Sequence, residues 1–429
     1  MVEDKLKTAQ KAQAINLDST KYGTFAEIGA GQEVARWFFR VGGAAGTVAK
    51  SMSAYDMSVS DAIYGTAERY VSQERLLHML DHEYDLLHER LSADRGGETR
   101  FFVYANTVSA RSFSHQQDGQ GWMGIRFQAN PMAPPNDIIM HVRLLEEENL
   151  KQQEAVGILG VNLVHGAMEY PDDPHRILEE LLDGLEPWRA EVGMLRFSGP
   201  DFEAVDNRIM ALELVQQGHA KATLFNADGE VVHPTEVLYH KPIIVERGSF
   251  RPVIHTTLHM LQSGMAQFVR EQKVNGKELT VLFEMTLQKL TDSGVIDHQD
   301  FLDRVDILGR VGEQLGEDFH VMVSNCAEYY RLAAYLLRYT KEPIGVVMGL
   351  PTLQELFEEK YYSKLEGGIL ESFGRMFKND LRLYVYPSQG QNGSVSAVEN
   401  LQVQEHLQGL YEYLVGNRFI RPLDDYNED

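Results

Sequence analysis

The segment from Arg247 to His259 gathers residue types that hold phosphate and stabilise its transfer: Arg247, Gly248, Ser249 and Arg251 in a bend, then His255 and His259. A Gly-Ser bend feeding a helix presents backbone N–H groups and the positive end of the helix dipole, which suits an anion. Histidines four residues apart share one face of a helix. Beside two arginines, such a pair can hold a triphosphate and stabilise the charge that builds up as a nucleotidyl group moves. The expectation is that His255 and His259 are catalytic and that Arg247, Gly248, Ser249 and Arg251 bind a nucleotide or its phosphates. Magnesium would accompany ATP or another nucleotide, with no metal site on the protein itself. The same residues also suit a plain strand-to-helix turn whose histidines bond locally, and the residues alone leave both readings open.

Other constellations lack a residue that their chemistry needs. Gly29 and Gly31 begin a dinucleotide-type glycine pattern, but Val34 fills the third glycine position, where a close helix-strand approach is required. Lys50-Ser51 ends a stretch like a phosphate-binding loop, yet Ala44 and Ala49 occupy both of its glycine positions. His78 and His82 are four apart with acids nearby, but Leu86 stands where the next zinc-binding histidine would be. The apolar stripe of Leu76, Leu77, Leu80, Tyr84, Leu87 and Leu91 lies on the other side of that helix, so the histidines read as a solvated face. Asp201, Asp206, Asn207 and Asp228 follow strands, where carboxylates bind magnesium or ribose and more often cap helices and make turns. Cys326 has no assignable histidine-acid partner and reads as a buried thiol.

The elements that must position these residues follow a change of rhythm near Ala190. Before it, a long helix at 73–91 precedes three segments of β character, "TRFFVYANTV", "GWMGIRFQ" and "DIIMHVRLL", with no helix between them. That order predicts an antiparallel or mixed sheet. From Ala190 onward short apolar runs alternate with helical patterns, the mark of a parallel sheet covered by helices. The predicted architecture is α/β: an N-terminal α+β domain over 1–189 and a C-terminal, mainly parallel, Rossmann-like domain over 190–429. In such sheets ligands sit beyond the carboxyl ends of the strands, which points at the loops "SGPDF", "NADGE", "RGSFRP", "SNCAE" and "GLPT".

"GSFRPVIHTTLH" resembles the nicotinate-nucleotide adenylyltransferase superfamily, whose signature runs G-[ST]-F-D-P-x-H-x-G-H after a first strand. Gly248, Ser249, Phe250, Pro252, His255 and His259 match in kind and order. Arg251 replaces the usual Asp, one residue is inserted before the first histidine, and the second histidine comes without its glycine. Leu350 stands where a later segment of the superfamily carries Asp, and its I-S-S-T-x-x-R loop has no counterpart. Across its length the chain also resembles an uncharacterised bacterial family through "YGTFAEIGAGQEVARWFF", "FSGPDF", "VERGSFRP" and "KEPIGVVMGLPTLQELFEEKYY". Members of that family are variously labelled nicotinate-nucleotide adenylyltransferase or TonB-dependent receptor. The second label conflicts with the helical patterning, since an outer-membrane barrel is built of strands closing on themselves.

The 429 residues carry a formal charge of −23. That sign argues against a duplex nucleic acid as partner, because phosphate recognition starts from clustered Lys and Arg. A local basic pocket stays open. The single cysteine fits a reducing compartment, and neither an export signal nor a membrane span is expected, so the expected location is the cytoplasm. Two functional readings stand together. One is a nucleotide- or phosphate-binding protein, in its narrowest form a divergent nucleotidyltransferase, whose partner is a small nucleotide or phosphorylated metabolite. The other is a non-catalytic homo-oligomer or interaction protein, with "ARWFFRVGGAAG" and "GILGVNLVHG" as subunit contacts.

Overall fold

A computed structural model describes residues 5–111, 119–291, 294–316, 318–389 and 395–423. The chain forms two compact units, Met1–Ala220 and Lys221–Asp429.

In the first unit a mixed six-stranded sheet is assembled from β1 (Lys21–Ile28), β2 (Val48–Met52), β3 (Arg100–Ser109), β4 (Gly119–Gln128), β5 (Pro135–Leu144) and β6 (Ala190–Ser198). Its order is β2-β1-β3-β4-β5-β6, parallel from β2 to β3 and antiparallel from β3 to β6. The helices are α1 (Thr8–Leu17), α2 (Glu33–Val41), α3 (Met57–Tyr64), α4 (Gln73–Arg95), α5 (Asn149–Glu169), α6 (Pro174–Glu180) and α7 (Asn207–Gln216). Ser72 starts α4, its hydroxyl accepting from the Arg75 N–H at 3.1 Å. The face of α4 that turns inward carries Leu76, Leu80, Tyr84 and Leu87, as the stripe predicts, and also the charged Arg75 and Glu83.

The expected boundary at 189/190 moves to 220/221. The strand β6 pairs along its length with β5, so the change of sequence rhythm at Ala190 marks a strand that closes the first sheet. A hairpin-like return after α5 was hidden because β6 is a buried apolar run, which reads the same in either sheet.

The second unit holds an eight-stranded sheet of β7 (Ala222–Phe225), β8 (Val231–Val232), β9 (Ile243–Arg247), β10 (Thr280–Thr286), β11 (Asp318–Ser324), β12 (Ile344–Gly349), β13 (Leu381–Tyr386) and, after a small ladder of β14 (Ser388–Gln389) with β15 (Val395–Ser396), β16 (Ile420–Pro422). The order is β16-β13-β12-β9-β10-β11-β7-β8. Every pairing from β16 to β11 is parallel, and β7 and β8 add antiparallel at one edge. The chain steps outward from β9 to β11 and then returns beside β9 with β12, so the order reverses between β9 and β12. The expected α/β class with a mainly parallel sheet is what the structure shows.

Helices α8 (Pro234–Leu238), α9 (His255–Phe268), α10 (Leu287–Leu290), α11 (His298–Leu315), α12 (Tyr329–Leu336), α13 (Leu350–Leu356), α14 (Gly368–Met376) and α15 (Gln408–Gly416) complete the unit. Ile243, Val245, Val346 and Leu383 share a core with residues of α12 to α15. On the opposite face Ile244, Gly345 and Val347 lie against α9, where a Cβ added to Gly264 would stand 2.6 Å from Val347 Cγ2. Among the described residues, no helix is long and apolar enough to cross a membrane.

Candidate functional site

The bend expected to seat phosphate is bolted into the sheet. Arg247 ends β9 with its side chain 3 % exposed, ion-paired with Glu284 of β10, which is fully buried. Its second terminal nitrogen donates to Glu284 Oε1 at 2.9 Å and to the Cys326 carbonyl at 2.8 Å, while Nη1 donates to the Ala327 carbonyl at 2.7 Å. The guanidinium also lies 4.2 Å from the Tyr329 ring centroid. The Gly248 N–H continues the ladder by donating to the Glu284 carbonyl at 3.1 Å. The Ser249 carbonyl accepts from Arg304 of α11 at 2.9 Å, and Arg251 pairs with Asp300 at 3.2 Å. The guanidinium and amide assigned to an anion are therefore committed to protein partners.

The histidines are placed differently from one another. His255 opens α9 and is exposed, and His259 is half-buried with Nδ1 2.9 Å from the Tyr386 hydroxyl of β13. Both ride on the helix that covers the Ile244 face, whereas Arg247 points to the α12 face, because neighbouring residues of a strand point to opposite sides. The structure does not bring the histidines and Arg247 into one constellation. The carboxylates past strand ends do local work: Asp206 caps α7 by accepting from the Arg208 N–H at 2.9 Å, and Asn136 bonds both ways with Asp201. The glycine loop of the first unit is likewise closed to phosphate, since Glu27 accepts from the N–H groups of Val34 and Ala35 at the start of α2, at 3.1 and 2.9 Å. Burial holds the Cys326 thiol up at about 11, so it stays protonated and inert.

A site that the sequence reading missed lies in the second unit. A cleft of about 920 Å³ is lined by six cationic side chains, Lys221, Arg331, Arg338, Lys341, Arg375 and Lys378. No Asp or Glu is among its described lining residues. Three of the cations are steadied by neighbours: Arg331 by Glu328 at 2.9 Å, Arg375 by Glu371 at 2.5 Å, and Arg338 over the Tyr335 ring at 5.5 Å. Lys221, Lys341 and Lys378 take no carboxylate partner among the described residues. Asn325, Asn379, Tyr330 and Tyr335 also line it. Arg247 contributes indirectly, because its bonds to the Cys326 and Ala327 carbonyls fix the loop that forms one end of the cleft. The sequence signal was there: Arg331, Arg338 and Lys341 recur along one segment at spacings of seven and three, Arg331 within α12 and the other two just after it.

Among the described residues, no three His, Cys, Asp or Glu side chains gather to hold a metal. Fold and cleft together define an α/β protein whose second unit carries a mainly parallel sheet and a concentrated positive site. No family model matches the chain, and no curated protein matches it. Among solved structures it is similar to the competence/damage inducible protein CihA from Agrobacterium tumefaciens, at 14 % identity and TM-score 0.26, covering 38 % of this chain and 97 % of that one. A competence-damaged protein (CinA) superfamily protein from Enterobacter cloacae matches at 13 % identity and TM-score 0.27, covering 38 % and 94 %. The Escherichia coli member of that superfamily matches at 15 % and 0.26, covering 37 % and 87 %. Scores of this size carry no argument about this chain's chemistry.

Proposed function

We propose that the protein binds a phosphorylated small molecule, a nucleotide or another phosphorylated metabolite, in the cationic cleft of its second unit. The observation that carries this reading is the lining of six Lys and Arg side chains without a carboxylate among its described residues, in a chain whose formal charge is −23. Arg331 and Arg375 keep Glu328 and Glu371 as partners, but Lys221, Lys341 and Lys378 take no carboxylate among the described residues, and gathering such cations in a concave place costs repulsion that a bound anion relieves. The volume is that of a small-ligand site. Magnesium, where it takes part, arrives with the nucleotide.

Nucleotidyl transfer is a narrower form of this reading and rests on His255 and His259 alone. Those two side chains belong to the face opposite the cleft, so binding does not need them. Isothermal titration with ATP and magnesium, AMP and pyrophosphate tests the proposal. Binding is expected, abolished in the Arg338→Ala/Lys341→Ala/Lys378→Ala variant and kept in His255→Ala/His259→Ala. Equal affinity in the first variant and the native chain would remove the cleft from consideration.

A further inference from the structure

The cations of the cleft fall into two groups, and their arrangement follows from the topology. α12 carries the chain from the carboxyl end of β11 to the start of β12, and α13 followed by α14 carries it from the carboxyl end of β12 to the start of β13. Both α12 and α14 therefore end shortly before a parallel strand begins, at the same edge of the sheet. Arg338 and Lys341 follow α12, Arg375 lies in the last turn of α14 and Lys378 just beyond it, so these four share one end. Arg331 sits in the first turn of α12 at the other end. Lys221 is there too, because its carbonyl accepts from the Asn325 N–H at 2.8 Å immediately after β11. Arg331 lies in the first turn of α12 and Arg338 just past its last residue, Leu336, so a helix of eight residues, roughly 12 Å long, spans from one group to the other. Between them the wall is apolar, made by Ala334, Leu337, Leu365 and the ring of Tyr335.

Complementing the helix dipoles accounts for part of this pattern only. Cations are favourable near helix C-termini, which covers Arg338 and Arg375. The same field disfavours a cation in the first turn, where Arg331 is offset by Glu328 at 2.9 Å, and says nothing of Lys221 at the start of a strand. A long polyanion is a poor occupant, because it would leave the cleft and meet a surface of net charge −23. We propose, resting on the phosphate-binding reading above, that the cleft takes a compact molecule with a phosphoryl group at each end and an uncharged middle. Lys221 and Arg331 would hold one phosphoryl, and Arg338, Lys341 and Lys378 the other.

Titration calorimetry on the full chain at low salt, with a hexose 1,6-bisphosphate, a hexose 6-phosphate and inorganic phosphate, tests this. The bisphosphate is expected to bind at least about tenfold more tightly than the monophosphate, the step expected when a second group adds on the order of 1.4 kcal/mol. Lys221→Ala/Arg331→Ala and Arg338→Ala/Lys378→Ala should each bring the bisphosphate down to the monophosphate's affinity. These side chains are exposed, and unchanged thermal unfolding of each variant verifies that the fold is kept. Equal affinity for bisphosphate and monophosphate overturns the two-ended site while leaving phosphate binding in place. No heat from any of the three at millimolar concentration overturns the underlying reading and this one with it.

Discussion

Arg247 shows how one side chain divides between two readings. In sequence it stands beside Gly248 and Ser249 shortly before a helix, and the one adjacent acid, Glu246, points to the other side of the strand. Its partner Glu284 lies 37 residues further on, and only strand pairing places it alongside. Removing one member of a buried, hydrogen-bonded pair leaves the other charge stranded. Arg247→Ala is therefore expected to lose about 3–5 kcal/mol of stability, measured by urea denaturation. If Arg247 served a ligand instead, the substitution would weaken binding and leave the midpoint alone. Glu27 offers a second test at this scale. Burial pushes its carboxyl up from 4.5 to about 7, although two backbone N–H groups and Asn106 bond to it. Between those values the folded protein keeps a proton that the unfolded chain has released, so stability falls as pH rises through that window. The full shift corresponds to about 3 kcal/mol. Glu27→Gln cannot ionise, so its stability relative to the native chain should climb by up to that amount from pH 4.5 to above pH 7. A difference that stays flat over the window would show that the carboxylate is held ionised by its hydrogen bonds.

At the scale of elements, α5 shows what small residues do inside a unit. Its residues from Ala155 to Met168 are all buried, and its glycines let α2 approach. A Cβ on Gly160 would stand 2.2 Å from Val34 Cγ2, and one on Gly157 3.0 Å from the Trp37 ring nitrogen. The small residues of "GILGVNLVHG" and one face of the helix of "ARWFFRVGG" thus pack on each other inside one unit, while Phe39 on the other face of that helix stays exposed. Gly160→Ala is expected to destabilise by about 1–3 kcal/mol through overpacking, read from the denaturation midpoint, with no change in sedimentation. The strands were legible as short apolar runs and α4 as an apolar stripe, since local patterning is enough for both. The cleft was not, because its walls come from the start of β7, α12 and the end of α14. A helix shows its cations in sequence, but whether another cationic helix end faces them is decided by strand order. Arg331 and Arg338 are both exposed, as the cations of an ordinary amphipathic pattern would be.

For the whole molecule, the same logic decides where the chain divides. Sequence rhythm changes at Ala190, but pairing continues through β6, whose partners in β5 run from Leu144 to Asp137. A cut at 189/190 would take away the last strand of a six-stranded sheet and leave β5 as a bare edge with an apolar face, a template for association with other chains. A cut at 220/221 falls between the two compact units, each with its own sheet and core. Each unit is long enough to bury a core of its own. Fragment 1–220 is expected to be monodisperse with a cooperative thermal transition, and fragment 1–189 to aggregate. Fragment 221–429 should retain the phosphate affinity of the full chain, because all six cations of the cleft belong to it. The cleft would then be a property of one fold, and its affinity should fall as sodium chloride is raised, since screening weakens exposed charges at distances beyond about 10 Å at 0.1 M salt. Light scattering on the three fragments and calorimetry on the last would check this. Loss of binding in a well-folded 221–429 would mean that the ligand needs groups outside the cleft.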